Sequence, residues 1–366
     1  MNTRFITALG LTAALSLSAC ATNEPATDAG TPNTSGTTGS SAPTLSGTLA
    51  GKGASSAKVA QETWIANFQT ANPAVTINYS PDGSGAGREA FMGGGADFAG
   101  SDRALKIDEN VAGGFAGCVD TSAAIDVPIY VSPIAVIFNL DGVTELNLTP
   151  EVLAKIFHGD IANWNDPAIA ALNPGATFPD LAITAVHRSD KSGTTGNFTD
   201  YLAVAAADVW TGGSVEEWPL QGGEAAKGTS GVVAAVTGGA GTIGYADASQ
   251  AGTASVAKVG PEGAFEAPTE EAAMAAIEAS PLEEGRPDND IAIALDRTAS
   301  GYPLVLVSYG IACAEYKDSA QGELVREYLS YVASEEGQQA AAESAGSAPL
   351  SATLRDKVLA AVATIK

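Results

Sequence analysis

A long apolar run from Ile125 to Phe138 sets the strictest limit on the architecture of this chain. The run is rich in β-branched residues, which favour strands, but Pro128 and Pro133 interrupt it. Because proline lacks the N–H that a central strand must donate, one continuous central strand is not expected here. A crossing between two domains near Val127 to Pro133 fits the pattern better. A return crossing is predicted near Arg297 to Leu304, and two crossings would form a hinge.

Helix and strand patterns alternate along the rest of the folded part. Residues 57–70 repeat apolar side chains at helical spacing, whereas residues 75–79 alternate between apolar and polar side chains, as a strand does. Such alternation predicts an α/β fold. We expect one domain to comprise residues 45–130 plus 300–366 and a second domain to comprise residues 131–299.

Net charge and histidine content exclude several classes of ligand. The 366 residues carry a net charge of −24, which makes nucleic acids poor partners. The same charge opposes long-range attraction of an anion, so local dipoles and hydrogen bonds would have to hold one. His158 and His187 are the only histidines, so a zinc site of His and Cys is not expected. We see no calcium-loop pattern and expect neither a metal nor another cofactor.

The first twenty residues resemble the export signal of a bacterial lipoprotein. Arg4 precedes an apolar stretch, Phe5 to Leu17, that is too short to span a bilayer comfortably. Leu17-Ser18-Ala19-Cys20 resembles a lipobox, which predicts a signal peptide over residues 1–19 and a lipid on Cys20. An ordinary secretory signal with a chance cysteine is the alternative. Residues 20–44 read as a flexible tether, so we expect an extracytoplasmic protein, lipid-anchored to the outer face of the cell membrane.

Two cysteines remain after the lipobox, Cys118 and Cys313. An even pair in an exported protein suggests one disulfide. Two buried free thiols are the alternative, because the sequence alone does not show whether the two backbones approach each other.

Three turns rich in Gly, Ser and Thr lead directly into predicted helices, at residues 51–56, 82–87 and 192–195. A helix N-terminus offers free backbone N–H groups and the positive end of the helix dipole to an anion. Glycine lets the backbone approach a ligand closely. Plain helix capping is the alternative for each turn, so the three together only suggest an anion site.

A guanidinium and a carboxylate precede the third turn, in Arg188 and Asp190. Arginine can hold two oxygens of a tetrahedral oxyanion, whereas an ionised carboxylate only accepts hydrogen bonds. Asp190 and Asp102 therefore favour a ligand that carries a proton. Phosphate keeps a proton at neutral pH and sulfate does not, so a carboxylate in the site discriminates between them. Asp190 can also form a salt bridge with Arg188, and the two roles are compatible.

From Leu148 to Leu202 the sequence resembles the phosphate-binding proteins of bacterial high-affinity phosphate importers, and the similarity extends over nearly everything after Leu45. The pieces that carry the resemblance are Leu148-Thr149-Pro150-Glu151, Asn163-Trp164-Asn165-Asp166-Pro167, Arg188 to Thr195, Gly83-Ser84-Gly85, Asp97 to Asp102 and Gly241 to Tyr245. The resemblance implies a two-domain periplasmic-binding-protein fold of type II that closes on its ligand as a hinged clamp.

Carried over position by position, the resemblance also implies a set of phosphate contacts. These are the Ser55 hydroxyl, the Ser56 backbone N–H, the Ser84 hydroxyl and N–H, Asp102 as acceptor of the ligand proton, Arg188 oriented by Asp190, and Ser192, Gly193 and Thr194. Two departures stand out. Ser56-Ala57 replaces an aromatic residue and a proline, and Ser84-Gly85 has one hydroxyl fewer than the family commonly shows.

The function implied is capture of inorganic phosphate and its delivery to the permease and ATPase subunits of an ABC importer. A monomer without enzymatic activity is expected. The same clamp binding another oxyanion is one alternative. A phosphatase-like enzyme with Asp102 or a serine as nucleophile is another. A nucleotide-binding P-loop is excluded because Gly53, rather than Ser or Thr, follows Lys52.

Overall fold

The computed structural model describes residues 45–366, so the predicted signal peptide, Cys20 and the tether lie outside the described residues. The strands are β1 (Gly47–Gly53), β2 (Val75–Ser80), β3 (Phe98–Ser101), β4 (Ala124–Asn139), β5 (Asn147–Leu148), β6 (Thr184–Arg188), β7 (Glu224–Ala226), β8 (Thr242–Asp247), β9 (Ser255–Val256), β10 (Lys258–Val259) and β11 (Val305–Cys313). The helices are α1 (Lys58–Ala71), α2 (Ser84–Met92), α3 (Pro150–His158), α4 (Pro167–Leu172), α5 (Gly193–Ala205), α6 (Gly228–Gly238), α7 (Glu270–Glu278), α8 (Ser319–Ala333), α9 (Glu335–Ala345) and α10 (Ala352–Val362), with a 3₁₀ turn at Ala248–Gln250. None of the helices in residues 45–366 is both long enough and apolar enough to cross a membrane.

A mixed sheet of nine strands organises the molecule. The strand order is β2-β1-β3-β11-β4-β8-β6-β7, and β9 pairs with β4 beside this path. β1 runs parallel to β2 and β3, and β6 runs parallel to β7 and β8. β4 and β11 are antiparallel to their neighbours in the centre. The predicted α/β class is therefore confirmed.

The prediction that prolines would interrupt the apolar run is wrong, because Ala124–Asn139 forms one continuous, buried strand. Pro128 lies beside a register shift in the pairing with β11, and Pro133 is the last residue of β4 that pairs with β11. From Ile134 onward the strand pairs with β8 instead. Each proline thus occupies a place where the ladder is already irregular, which a strand tolerates. The predicted crossing lies here, but as a change of partner within one strand.

The change of partner along β4 divides the sheet into two lobes. We call β1, β2, β3 and β11 with α1, α2, α8 and α9 the first lobe, and β6, β7 and β8 with α3, α5 and α6 the second lobe. After α7 the chain returns to the first lobe, where the N–H of Ile291 donates to the carbonyl of Asp126 (2.7 Å). The residue boundaries of the predicted domains stay predictions.

Helix α1 shows how the first lobe buries its core. Ala60, Trp64 and Phe68 share its buried face, as the helical spacing predicts. The indole Nε1 of Trp64 donates to the carbonyl of Gly337 in α9 (2.7 Å). The Phe68 ring packs edge-on against Tyr328 of α8, with 5.4 Å between the ring centroids. This layer of three helices fixes the position of the loop that joins β1 to α1.

Cys118 and Cys313 form a disulfide, with 5.3 Å between their Cα atoms. Both residues are buried, and Cys313 ends β11. The predicted pair is therefore present, and it ties the loop before β4 to the end of β11.

Candidate functional site

The predicted ligand loops follow the ends of strands and lead into helices. Ser55 and Ser56 lie between β1 and α1, Ser84 is the first residue of α2, and Ser192 precedes α5. Residues at the carboxyl ends of strands commonly form the ligand site in open α/β sheets. Loops of the two lobes are in direct contact, because the N–H of Gly85 donates to the carbonyl of Lys191 (3.2 Å).

Asp102 is the centre of a buried hydrogen-bond network between the lobes. The Ser56 hydroxyl donates to Oδ1 (2.6 Å), and the Thr194 hydroxyl donates to Oδ2 (3.1 Å). The backbone N–H of Asp102 donates to the Ser84 hydroxyl (3.1 Å). The side-chain amide of Asn197 donates to the Asp102 carbonyl (2.7 Å). First-lobe and second-lobe residues therefore meet on a single carboxylate.

The surroundings of Asp102 make ionisation of its carboxyl costly. Burial raises its pKa, while hydroxyl groups such as Ser56 and Thr194 and the positive charge of Arg188 lower it only in part. A buried carboxylate of this kind gains most from a partner that brings a proton. That property suits a protonated oxyanion and disfavours a fully ionised one.

Arg188 and Asp190 form the second charged pair of the site. The guanidinium donates two bonds to the carboxylate, one of them from Nε to Oδ1 (2.8 Å). The N–H of Gly228 also donates to Oδ1 (3.1 Å). Burial alone would raise the pKa of Asp190, but the hydrogen bonds and charge of Arg188 outweigh it and hold the pKa below its usual value. The predicted salt bridge is confirmed, and it orients Arg188.

Two glycines allow the lobes to approach so closely. A Cβ at Gly193 would lie 2.5 Å from the Ser84 hydroxyl and 2.6 Å from the Asp102 Cβ. Gly83 has a φ of +103°, and a Cβ there would lie 2.5 Å from Oδ2 of Asp190. Any side chain at either position would push the two lobes apart.

All nine predicted site residues lie in this region, although some hydroxyls have partners that the sequence did not indicate. The Ser192 hydroxyl accepts from the N–H of Thr195 (3.2 Å), as a helix cap does. The Ser55 hydroxyl bonds to the hydroxyl (3.0 Å) and the N–H (3.2 Å) of Thr229. A hydroxyl can cap a helix and still donate its own hydrogen to a ligand.

Several residues that support the site were missed. Thr229 lies at the start of α6 in a Gly-Thr-Ser turn like the three noted above, so that pattern could have found it. Gln250 gives no local signal. Its side-chain amide donates to the carbonyls of Ser55 (2.8 Å) and Ser56 (2.7 Å), which are distant in the sequence. Tyr245 carries part of the family resemblance but is not among the predicted site residues, and its hydroxyl bonds to the hydroxyl of Thr195 (2.7 Å).

A cavity of about 630 Å³ borders the site at Asp102 and Gly193. Three arginines line it, and each contacts a carboxylate: Arg103, Arg286 and Arg297. Each arginine of the cavity therefore already has a counter-ion and is not free to bind a second anion.

A metal site is a separate question. In residues 45–366 we find no group of three His, Cys, Asp or Glu side chains arranged to hold a metal.

The family comparison gives a consistent result. The model of the PBP superfamily domain matches residues 38–336. Phosphate-binding protein PstS 3 of Mycobacterium tuberculosis is 36% identical over 344 residues, which cover 89% of this chain and 90% of that protein. Phosphate-binding protein PstS 2 of the same organism is 34% identical over 336 residues, which cover 87% of each.

Solved structures agree with the relatives. A high-affinity periplasmic phosphate-binding protein solved with phosphate at pH 8.5 has a TM-score of 0.71 and 26% identity, over 86% of this chain and 93% of that one. A phosphate-binding protein from Stenotrophomonas maltophilia has a TM-score of 0.69 and 24% identity, with the same coverage, and supports the fold. The chain thus belongs to the PstS family of phosphate-binding proteins, within the PBP superfamily.

Proposed function

We propose that this protein is an extracytoplasmic solute-binding protein that captures inorganic phosphate between its two lobes and delivers it to an ABC phosphate importer. One observation carries the proposal above all others. A buried arginine and a buried carboxylate of raised pKa, Arg188 and Asp102, lie in one site, where the helix starts of both lobes meet.

Arg188 supplies the positive charge for the ligand. Asp190 holds its guanidinium in place, so little side-chain entropy is lost when phosphate oxygens bind. The N-termini of α2 and α5 add backbone N–H groups and the positive ends of two helix dipoles. These local donors hold the anion although the chain as a whole has a net charge of −24.

Asp102 distinguishes a protonated ligand from an unprotonated one. When ionised it can only accept, so it binds the P–O–H of phosphate and repels the unprotonated oxygens of sulfate. Hydroxyl donors at Ser56 and Thr194 keep both carboxylate oxygens oriented toward the interface between the lobes. Selectivity for phosphate over sulfate then arises because a sulfate oxygen would face the carboxylate with no hydrogen to donate, and both acceptors would stay unpaired.

Capture requires the lobes to open and close. β4 and the segment that returns after α7 join the two lobes. The N–H of Ile134, at the change of pairing partner in β4, donates to the carbonyl of Leu304 at the end of that segment (2.9 Å). Two adjacent connections suit a hinge motion. Closure would bring the Thr194 and Asn197 side chains onto Asp102 and remove the ligand from water.

The finer assignments belong to the same proposal. We place the chain at the outer face of the cell membrane, attached through a lipid on Cys20, as a monomer that works with a permease and an ATPase. We also propose that it is not an enzyme, since the relatives that match most of its length are named as phosphate-binding proteins.

Calorimetric titration of the purified full chain, stripped of phosphate, tests the function. Tight one-to-one binding of phosphate with no heat from sulfate is the expected result. Heat from sulfate alone, or from neither anion, would contradict it. Incubation with p-nitrophenyl phosphate tests the enzymatic alternative, because steady release of nitrophenol would show a phosphatase.

A further inference from the structure

Glu216 joins the two lobes through buried charges. It lies in the second lobe, between α5 and β7, and its Oε2 accepts from Arg88 Nη2 and from Arg103 Nε (3.1 Å). Both arginines belong to the first-lobe side of the site. The side chains of Arg88 and Glu216 are only 4% and 12% exposed. One carboxylate therefore bridges two cations across the interface, and Arg103 has a second counter-ion in Glu109.

The residues that hold Glu216 are attached directly to the ligand loops. Arg88 lies on α2, one turn after Ser84, and its Nη1 donates to the hydroxyl of Ser101 (2.6 Å). Ser101 and Arg103 flank Asp102 in the sequence. The main-chain carbonyl of Glu216 accepts from the N–H of Ser192 (3.0 Å). A shift at this position would therefore disturb three ligand loops together.

Other charged contacts between the lobes are less buried. Arg297, which follows α7, contacts Asp200 of α5 at 2.7 Å, but the carboxylate of Asp200 is 36% exposed. Lys227 contacts Asp82 at 3.7 Å, and Lys191 contacts Glu89 at 3.7 Å, all through partly or largely exposed side chains. Exposed pairs of this kind contribute little. A buried pair is different, because removal of one partner leaves an uncompensated charge. Among the described residues, the Glu216 contacts thus form the most buried charged link between the lobes.

The hydrogen bonding of Glu216 is incomplete where the two lobes are in contact. Its Oε1 is buried and has no hydrogen-bond partner among the residues described. Each such oxygen carries a desolvation cost that would disappear when the lobes separate and water returns. The contacts of Glu216 with the two arginines therefore favour closure of the lobes. The unpartnered oxygen lowers the free-energy cost of opening them again.

We infer that Glu216 is the positioning residue that holds the closed clamp shut, without itself contacting the ligand. The inference rests on the proposed function. Because a ligand trapped by closure leaves only when the lobes open, the Glu216 contacts set its rate of release. Selectivity between anions, which depends on contacts with the ligand, does not depend on Glu216.

Stopped-flow measurement of phosphate release from the full chain tests this role. Glu216→Gln keeps the shape of the side chain and removes its charge. Glu217→Gln, at the exposed neighbouring carboxylate, is the matched control for loss of one negative charge. We expect Glu216→Gln to release phosphate about tenfold faster, because loss of one charge from a buried ion pair mainly raises the dissociation rate. The release rate of Glu217→Gln, and the ratio of phosphate to sulfate affinity in both variants, should stay at wild-type values.

A purely structural role predicts another result. It would lower the melting temperature of the phosphate-free protein and leave the release rate equal to that of Glu217→Gln, which would overturn the inference. If Glu216→Gln does not fold, Glu216→Asp keeps the charge and shortens the reach, and faster release is again expected; wild-type release would count against the role. A wild-type chain that does not bind phosphate would instead overturn the proposed function itself.

Discussion

Asp102 and Asp190 lie in the same site, yet their surroundings shift their pKa values in opposite directions. Asp102 receives hydrogen bonds from the neutral hydroxyls of Ser56 and Thr194, and burial raises its pKa. Asp190 is also partly buried, but the guanidinium of Arg188 holds its pKa below the usual value. The same residue type thus serves two purposes, and the partner decides which.

Under the proposed function, the difference between the two carboxylates would separate affinity for phosphate from selectivity against sulfate. The charge of Asp190 is matched by Arg188, so its effect on a ligand passes through the orientation of that guanidinium. Asp102 is not matched by a cation in direct contact, and its acceptor capacity remains for a proton on the ligand. Four substitutions test this comparison, beginning with the largest effect.

Removal of the cation should have the largest effect. Arg188→Ala leaves buried phosphate oxygens without donors and leaves Asp190 unpaired beside them. We expect a loss of about 3–5 kcal/mol, which is roughly a hundred- to several thousandfold in affinity, measured by titration calorimetry. Arg355→Ala on α10, away from the site, is the control. Wild-type affinity in Arg188→Ala would remove this residue from the site.

Substitution of the proton acceptor should change selectivity. Asp102→Asn removes the charged acceptor for the ligand proton, so phosphate should bind roughly ten- to a hundredfold more weakly. Because the new side-chain amide can donate to an unprotonated oxygen, the difference in affinity between phosphate and sulfate should also narrow. Competition between the two anions measures this ratio. The exposed Asp108→Asn is the control. An unchanged ratio in Asp102→Asn would show that Asp102 does not read the ligand proton.

Substitution of the orienting carboxylate should have a smaller effect of another kind. Asp190→Asn loses the charge but can still accept from the N–H of Gly228. Phosphate affinity should fall by about tenfold or less, as for one charge-assisted hydrogen bond, with the phosphate-to-sulfate ratio near that of wild type. If the ratio changes as much as in Asp102→Asn, the two carboxylates share one role and the comparison fails.

A buried carboxylate in the pairing between β4 and β8 extends the comparison to stability. Asp247 accepts from the Tyr130 hydroxyl (3.0 Å), and burial raises its pKa to about 7. In the unfolded chain the carboxyl of an aspartate has a pKa near 3.9. Between about pH 4 and pH 7, Asp247 of the folded protein therefore keeps a proton that the unfolded chain has lost. The contribution of Asp247 to stability therefore decreases as pH rises from about 4 to about 7.

Asp247→Asn cannot ionise and should lose this dependence. The difference in melting temperature between Asp247→Asn and wild type should rise by a few degrees over the same pH range. Each kcal/mol of unfolding free energy corresponds to about 2–4 °C in proteins somewhat smaller than this one. Asp141→Asn, at an exposed position, is the control. Parallel curves of melting temperature against pH for Asp247→Asn and wild type would contradict the shift.

Local patterns located the elements well, whereas pairing between distant segments could not be deduced. The helix predicted over residues 57–70 is α1, because its spacing of apolar residues is set within the helix itself. The interpretation of Ile125 to Phe138 was wrong because the proline rule assumes a regular ladder. Whether the ladder is regular depends on β8 and β11, which lie far along the chain.

The same limit applies to the site. Arg188, Asp190 and the three turns could be recognised from side-chain chemistry and from resemblance. The contacts of Gln250 and Glu216 could not, since each contacts residues more than a hundred positions away. Supporting residues of this kind have no periodicity and no motif, and only the contact between the two lobes brings them to their partners.

The position of β11 has a consequence for the order in which the protein folds. β11 lies between β3 and β4 in the sheet, and Cys313 at its end is 195 residues from its disulfide partner, Cys118. When the chain emerges N-terminus first, β4, β6 and β8 are therefore available long before the first lobe can be completed. Until β11 arrives, the edges of β3 and β4 are unpaired and open to association with other chains. Insertion of β11 between β3 and β4 is therefore the step that removes these exposed edges.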